Sequence, residues 1–297
     1  MTRTMPISCM QAPPVPIGAD LGAFRAEVAA EAAAGARLVV YPELHLFGAD
    51  AAPDGERNAL LRASAVDLAD PLIATLGTVA RDASCWLVPG SICERGGNGE
   101  LFNTAVVFDP QGALVATYRK VFPWRPYEPY DPGDRFTVFD IPGTGRFGLS
   151  ICYDAWFPEV TRHLAWMGAE AVLNIVKTTT PDRAQEVVLA RANAIVNQNV
   201  TISVNCAGPV GRGQSLIVDA EGAVLASSDD AAPCVLRHDL DLDAVARTRE
   251  HGTAGSNRMW EQFLPTDRPL ALPLYEGRID PARWRPRHPA ADSATRP

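Results

Sequence analysis

The sequence predicts an α/β protein in which two β-sheets pack face to face and carry helices on their outer sides. Predicted strands alternate with helices along the chain, and hairpins interrupt the alternation. The order helix, apolar strand and two further strands occurs in each half of the chain. Because no linker-like segment separates the halves, we expect residues 1–265 to form one domain.

The first half of the chain contains this order once. Segment 21–34 is rich in alanine, has apolar residues at helical spacing and is followed by Gly35, so it predicts a helix. A second amphipathic helix is predicted over 58–81, with an interruption near Pro71. Asp109-Pro110-Gln111-Gly112 is typical of a hairpin turn. Apolar runs predict strands at 7–10, 37–41, 86–92, 104–108 and 114–118.

The second half repeats the order around a cysteine. A strand predicted over 146–151 runs directly into Cys152. A helix follows over 158–168, with proline in its first turn and glycine at its end. Further elements are predicted in chain order: a strand at 171–176, a helix at 182–197, a strand at 200–205 and a hairpin formed by 215–219 and 223–226.

The C-terminal segment 266–297 differs from the rest in composition. It is rich in proline and arginine and shows little helical or strand periodicity, so we expect an extended arm. Trp284 within it, together with Trp260 and Phe263 just before it, suggests that part of this region lies on another surface, such as a partner subunit.

Charge and cysteine content exclude several classes of protein. The formal net charge of −8 and the lack of a basic run argue against a nucleic-acid or anionic-membrane partner. No apolar run approaches the ~20 residues of a membrane span, and residues 1–12 are too weakly apolar for a signal peptide. Six scattered cysteines without a C-x-x-C pair argue against a disulfide framework and a structural zinc site. We therefore expect a cytoplasmic protein.

Three chemically complementary side chains follow three predicted strands. Glu43, Lys120 and Cys152 supply a carboxylate, an ammonium and a thiol at the C-terminal ends of separate strands. Together they could attack a carbon–nitrogen bond, with the thiol as nucleophile, the carboxylate as base and the ammonium facing the oxyanion. Taken singly, each residue has a structural alternative. Glu43 could be a surface or helix-capping carboxylate, Lys120 a solvated lysine at a strand end and Cys152 a small buried hydrophobic residue.

Glu128 lies eight residues after Lys120, in the aromatic and proline-rich loop Trp124-Arg125-Pro126-Tyr127-Glu128-Pro129-Tyr130. Such a rigid loop is better suited to lining a pocket than to forming a flexible surface turn. The alternative for Glu128 is a salt bridge within the loop.

The chain resembles the nitrilase superfamily of carbon–nitrogen hydrolases. The resemblance lies in Tyr41-Pro42-Glu43, Tyr118-Arg119-Lys120 and Ile151-Cys152-Tyr153-Asp154-Ala155-Trp156-Phe157-Pro158-Glu159, in the family's order. Segment 120–133 is similar to the corresponding loop of the aliphatic amidase and formamidase branch. The resemblance covers about residues 5–245.

This resemblance implies a four-layer α-β-β-α sandwich whose protomers pair sandwich to sandwich, as a homodimer or a higher homo-oligomer. It implies that Glu43 is the general base, Lys120 the oxyanion stabiliser and Cys152 the nucleophile, while Glu128 positions substrate and lysine. The chemistry implied is hydrolysis of a small amide through a thioester, without a metal or an organic cofactor.

Residues near the cysteine bear on the substrate. Nitrilases of the family usually carry tryptophan directly after the cysteine, so Tyr153 favours amides. Carbamoyl-amino-acid hydrolases tend to place arginine nearby, whereas this chain has Ala155-Trp156, which favours a neutral acyl group in an apolar or aromatic pocket. Tyr127, Tyr153, Trp156 and Lys177, the last within the loop Lys177-Thr178-Thr179, are candidate substrate contacts, each with packing as the alternative. An N-carbamoyl hydrolase or a nitrilase with the same site stays open.

Three other classes of protein are alternatives. Gly148-Leu149-Ser150-Ile151-Cys152 nearly matches the G-x-S-x-G elbow of serine hydrolases, but its last glycine is replaced by cysteine. A cysteine–histidine pair would need a partner for Cys152, and His45, near Glu43, is the histidine worth testing. A catalytically silent scaffold of the same fold is the non-enzymatic alternative.

Overall fold

The computed structural model describes residues 2–53, 55–272 and 277–278. The chain divides into two compact units, Met1–Arg258 and Met259–Pro297. The arm predicted over 266–297 lies mostly outside the described residues, as does Trp284, and it stays a prediction. In the part of the chain that is described, none of the helices combines the length and apolar character needed to cross a membrane.

Thirteen strands form two sheets within the described residues. The strands of the first sheet are β1 (Thr4–Gln11), β2 (Leu38–Val40), β3 (Trp86–Val88), β4 (Ser91–Arg95), β5 (Leu101–Phe108), β6 (Leu114–Arg119) and β13 (Cys234–Asp241). Their spatial order is β13-β1-β2-β3-β5-β4, and β6 also pairs with β5. Strands β1, β2 and β3 run parallel, and the other pairs of this sheet are antiparallel.

The second sheet has the order β12-β11-β10-β9-β8-β7. Its strands are β7 (Val138–Ile141), β8 (Gly145–Ile151), β9 (Ala171–Val176), β10 (Val200–Asn205), β11 (Leu216–Val218) and β12 (Val224–Ser227). The central strands β8, β9 and β10 are parallel, so their carboxyl ends meet at one edge of the sheet. Cys152 directly follows β8 at that edge.

Helices cover the outer faces of both sheets. The helices of the described ranges are α1 (Gly22–Ala33), α2 (Arg57–Ala63), α3 (Pro71–Ala83), α4 (Pro158–Trp166), α5 (Arg183–Asn197) and α6 (Leu242–His251). Helix α6 is the exception to this arrangement, because its Leu242 and Val245 pack in the core that lies between the sheets. Proline begins α3 and α4, where its missing N–H has no intrahelical partner to lose. Asp70 caps α3 by accepting a hydrogen bond from the N–H of Leu72 at 2.8 Å.

Alternation along the buried strands explains the layers. Leu38 and Val40 of β2 pack in a core that also contains residues of β8 and β9, so this core lies between the sheets. Val39, between them, packs with residues of α1 and α3 on the other side. Side chains of a strand alternate between its two faces, which is why one strand serves two cores. On the second sheet, α5 packs on β11. The predicted four-layer sandwich is confirmed.

Two predicted elements are divided in the structure. The helix expected over 58–81 is the two helices α2 and α3, because Pro71 begins a new helix and does not merely bend one. The strand expected over 86–92 is the two strands β3 and β4, separated at Gly90. Gly90 has φ +97°, and a Cβ there would lie 2.1 Å from the carbonyl oxygen of Pro42. This close approach places β3 against the segment that carries Glu43.

Candidate active site

Cys152 occupies a strained corner. The predicted strand is β8, and Cys152 begins a short 3-10 helix, Cys152–Trp156. Its φ is +47°, a left-handed conformation that side chains other than glycine rarely adopt and that costs on the order of 1–3 kcal/mol. The surrounding structure must hold this turn, and it fixes the direction in which the thiol projects.

Asp154 holds the corner. Its buried carboxylate accepts hydrogen bonds from the N–H of Ile151 at 3.0 Å, the N–H of Phe122 at 2.9 Å and the hydroxyl of Tyr118 at 2.8 Å. Burial raises the pKa of Asp154 to about 6, although Lys120 and the donated hydrogen bonds lower it. No role for Asp154 was predicted from the sequence. The sequence feature that could have identified it is the position of a carboxylate two residues after a cysteine at the end of a strand.

Lys120 lies between two carboxylates. Its fully buried Nζ is 3.0 Å from Oε1 of Glu43 and 2.8 and 2.9 Å from the two oxygens of Glu128. Burial alone would lower the pKa of Lys120, but Glu128, Glu43 and Cys152 together raise it well above its ordinary value. The side chain is therefore a fixed cation at neutral pH, suited to stabilise an oxyanion and unsuited to act as a base.

Glu43 has one oxygen engaged and one left over. Oε1 accepts hydrogen bonds from Nδ2 of Asn103 at 2.7 Å and from Lys120. Among the described residues, no hydrogen bond reaches Oε2. Because no donor in the described chain occupies this second oxygen, it is available to receive a proton from a reacting group. The Glu43 side chain is almost completely buried.

Glu128 is anchored in the loop 121–137, which contains no helix or strand. Besides holding Lys120, its Oε2 accepts a hydrogen bond from the N–H of Trp124 at 2.9 Å. The cation that pairs with Glu128 is Lys120, which lies outside this loop, so the contact corresponds to the expected positioning of Lys120 and not to a salt bridge within the loop. The structure brings Glu43, Lys120 and Glu128 into one network.

The thiol of Cys152 belongs to the same electrostatic environment. Burial raises its pKa well above the ordinary value, Glu43 raises it further and Lys120 opposes both effects. The resting sulfur is thus a neutral thiol that needs a base. In the described part of the chain, its one hydrogen bond joins Sγ to Oγ1 of Thr178 at 3.8 Å, and none joins Sγ to Glu43.

A cavity of about 350 Å³, counted with the open space at its mouth, contains Cys152. Of the four predicted substrate contacts, Tyr153 and Lys177 line it, whereas Tyr127 and Trp156 do not. Tyr127 is 65% exposed and packs against Trp124 in a tilted arrangement, with ring centroids 4.3 Å apart. Nε1 of Trp156 lies 3.5 Å from Oε1 of Glu186.

The cavity wall is more polar than expected. The other lining residues are Trp124, Glu128, Thr178, Thr179, Thr180, Asp182 and Glu186. Lys177 is not a lone cation, because Nζ lies 2.7 Å from Oδ2 of Asp50. The expectation was an apolar or aromatic wall. The rings of Trp124 and Tyr153 do line the cavity, but hydroxyl and charged groups outnumber them, so the wall is of mixed character.

Two alternative sites do not match this geometry. Ser150 is buried, and its hydroxyl accepts a hydrogen bond from Nδ2 of Asn174 at 3.0 Å, so it is not an exposed nucleophile. His45 does not line the cavity; it stacks on Tyr41 with ring centroids 4.5 Å apart. Burial lowers the pKa of His45 to about 3. His45 therefore packs in the core behind Glu43.

Sequence comparisons identify the family to which the chain belongs. The family model described as carbon-nitrogen hydrolase matches residues 7–250. A formamidase of Pseudomonas syringae pv. tomato is 31% identical over 228 residues, which cover 75% of this chain and 65% of that protein. A formamidase of Bacillus thuringiensis is 42% identical over 120 residues, which cover 40% of this chain and 36% of that protein. The matched region is thus less than two thirds of the length of either relative.

Solved structures share the fold. Nit3 of Saccharomyces cerevisiae, a member of branch 10 of the nitrilase superfamily, has a TM-score of 0.75 at 23% identity, covering 86% of this chain and 97% of that one. A cysteine-to-alanine mutant of the amidase from Nesterenkonia sp. AN1, in complex with butyramide, has a TM-score of 0.69 at 27% identity, covering 84% and 95%. Because the family model spans most of its length, this chain belongs to the carbon–nitrogen hydrolase family.

Proposed function

We propose that this protein is an amidase that hydrolyses a small amide to a carboxylic acid and ammonia through a thioester on Cys152. The observation that carries the proposal is the buried Lys120 ammonium, held by Glu43 and Glu128, in the electrostatic environment of Cys152. A thiol that is neutral at rest, a carboxylate with one oxygen available and a fixed cation are together sufficient for acyl transfer.

The relatives support this chemistry. The two bacterial relatives named above are formamidases. A glutamate-to-leucine mutant of the Nesterenkonia amidase, with a TM-score of 0.70 at 27% identity, shows covalent addition of the acetamide moiety of fluoroacetamide at the active site cysteine. By analogy, we infer that Cys152 is the group that becomes acylated here.

The first half of the reaction forms the thioester. Oε2 of Glu43 takes the proton of Cys152 as the sulfur attacks the amide carbon, so a carbon–sulfur bond forms and the carbonyl electrons move onto oxygen. Lys120 and the backbone N–H of Tyr153 stabilise this oxyanion. Glu43 then gives its proton to the amide nitrogen, the carbon–nitrogen bond breaks, and ammonia departs.

The second half releases the acid. Glu43 takes a proton from a water molecule as its oxygen attacks the thioester carbon, and Lys120 again faces the oxyanion. The carbon–sulfur bond breaks, the proton returns to the sulfur, and the carboxylic acid leaves. Glu128 keeps Lys120 in place in both halves. Tyr153 and Lys177 are the proposed substrate contacts, because both line the cavity.

Ammonia release from a panel of short amides, nitriles and ureido compounds tests the proposal. We expect turnover of amides by the wild type and none by Cys152→Ala. Cys234→Ala is a matched control, since Cys234 is also a partly exposed free thiol but lies in β13. Turnover of nitriles or ureido compounds alone would keep the nucleophile and replace the substrate class.

Assembly and location are also proposals. Val188, Ile195 and Val196 leave apolar side chains exposed on α5, which supports a homodimer or a higher homo-oligomer. The six cysteines are free thiols, which is consistent with a cytoplasmic location. Sedimentation of the wild type and of Val188→Asp would test the assembly, with a smaller species expected for the variant.

A further inference from the structure

A second polar network reaches Cys152 and takes no part in the mechanism above. Oγ1 of Thr178, just after β9, lies 3.8 Å from Sγ of Cys152. The same Oγ1 lies 2.9 and 2.7 Å from the two carboxylate oxygens of Glu186, which is on α5. Both Thr178 and Glu186 are buried, and both line the cavity.

Counting protons fixes the direction of these hydrogen bonds. A threonine hydroxyl has one proton and an ionised carboxylate has none to give, so Thr178 donates to Glu186. Thr178 then offers only lone pairs to Cys152, and the thiol is the donor in that contact. The thiol proton therefore points toward Thr178 at rest and must turn to reach Glu43.

Glu186 is held rigidly in place. Its Oε2 lies 3.1 Å from Nη1 of Arg183, which is buried to 1% exposure. Arg183 in turn donates hydrogen bonds to the carbonyl oxygens of Gly213 at 3.1 Å and Gln214 at 2.8 Å, and to the hydroxyl of Ser203 at 3.0 Å. A buried ion pair of this kind adds little net stability, so its effect lies in fixing the geometry.

We propose that Glu186 is a positioning residue: by accepting the Thr178 proton, it restricts Thr178 to accepting a hydrogen bond from the Cys152 thiol. The sulfur thereby has one orientation in the free protein and no hydroxyl donor that could stabilise a thiolate. The inference deepens the proposed function, because it concerns the nucleophile proposed there.

The charges around Cys152 predict the direction in which the pKa of its thiol changes when Glu186 is replaced. After burial, which has the largest effect, Glu43, Glu186 and Glu128 raise the pKa of the thiol, and Lys120 lowers it. The nearby Arg183 is already paired with Glu186. Glu186→Gln removes one negative charge and places an amide donor beside Thr178, which frees the hydroxyl proton to point at the sulfur. Both changes favour the thiolate.

The experiment is the rate of Cys152 alkylation by iodoacetamide as a function of pH, followed on the Cys152 peptide by mass spectrometry. We expect the midpoint for Glu186→Gln to lie at lower pH than that of the wild type, and Glu186→Asp, which keeps the charge, to stay close to the wild type. In amide hydrolysis, kcat of Glu186→Gln should fall about tenfold or more, with a smaller change in KM.

A second pair of variants covers the case in which Glu186→Gln does not fold. Thr178→Val removes the hydroxyl and leaves the Glu186–Arg183 pair intact, whereas Thr178→Ser keeps the hydroxyl. We expect the valine variant to lose about tenfold in kcat and the serine variant to recover most of it. A folded Glu186→Gln with an unshifted midpoint, or Thr178→Val with wild-type kcat, would overturn the inference. Alkylation needs no amide turnover, so a protein inert to all amides would overturn the proposed function alone.

Discussion

The hydroxyl of Tyr118 donates a hydrogen bond of 2.8 Å to the carboxylate of Asp154. Tyr118 lies near the end of strand β6, two residues before Lys120, and Asp154 lies in the corner that carries Cys152. The contact therefore links the segment that positions the cation to the segment that positions the nucleophile. Both side chains are buried, and each is fixed by the packing around it. The relative position of thiol and ammonium is therefore a property of the scaffold.

Removal of this hydroxyl should affect stability and turnover together. Tyr118→Phe deletes one hydrogen bond to a buried carboxylate, which should lower the free energy of unfolding by about 1–3 kcal/mol. It should also reduce kcat about tenfold, because the corner loses its link to Lys120. Urea unfolding and steady-state kinetics measure the two effects. Tyr41→Phe is the matched control. The hydroxyl of Tyr41 donates a hydrogen bond to Glu27 at 3.2 Å, so its removal should leave kcat at the wild-type value.

Asp154 should give the protein a distinctive pH dependence. Its pKa of about 6 exceeds the ordinary value of 3.8, so between these values the folded state binds more protons than the unfolded state. The free energy of unfolding contributed by this group therefore falls as pH rises from about 4 to about 6. Urea unfolding across this pH window should show a smaller decrease in the free energy of unfolding for Asp154→Asn than for the wild type. Parallel pH curves for the two proteins would contradict this assignment.

The two lysines of the chain provide a matched comparison. Lys120→Met leaves the buried Glu43 and the partly buried Glu128 without a cation, which should cost about 3–5 kcal/mol of stability and at least ~100-fold in kcat. Lys177→Met instead breaks a pair with Asp50 whose side chains are 13% and 18% exposed. Its effect should be smaller and should appear mainly in KM. Equal losses of kcat in the two variants would show that Lys120 has no special role.

Glu43 should be required for turnover and dispensable for alkylation. Glu43→Gln keeps the size of the side chain but cannot accept the thiol proton, so kcat should fall by about 100- to 10,000-fold. Because Glu43 raises the pKa of Cys152, its removal should move iodoacetamide alkylation of Cys152 to lower pH. Peptide mass spectrometry and ammonia release report the two results separately. A variant that hydrolyses amides at the wild-type rate would remove Glu43 as the base.

Local sequence patterns predicted the layers of the fold well, whereas the roles of the predicted site residues stay predictions. Strand β9 and strand β10 coincide with the predicted ranges 171–176 and 200–205. Both strands are buried on two faces and consist largely of apolar and β-branched residues. Strands β7 and β13 and helix α6 were missed. The exposed positions in β7 and β13 interrupt any apolar run, and α6 is rich in charged residues.

The rest of the site depends on long-range contacts. Glu43, Lys120 and Cys152 each follow a strand, and strand ends meet at one edge, so their proximity could be expected. Thr178 lies 26 residues from Cys152 in the chain, and its contact depends on how β9 is paired beside β8. No local pattern encodes that distance.

A direct test of the central claim is mass spectrometry of the Cys152 peptide after acid quenching during turnover of a short amide such as butyramide. We expect a fraction of Cys152 to carry the acyl group of the amide, and no adduct on Cys234. The adduct on Cys152 should accumulate when hydrolysis of the thioester is slowed. Amide hydrolysis that continues with Cys152 unmodified, and that survives in Cys152→Ala, would contradict it.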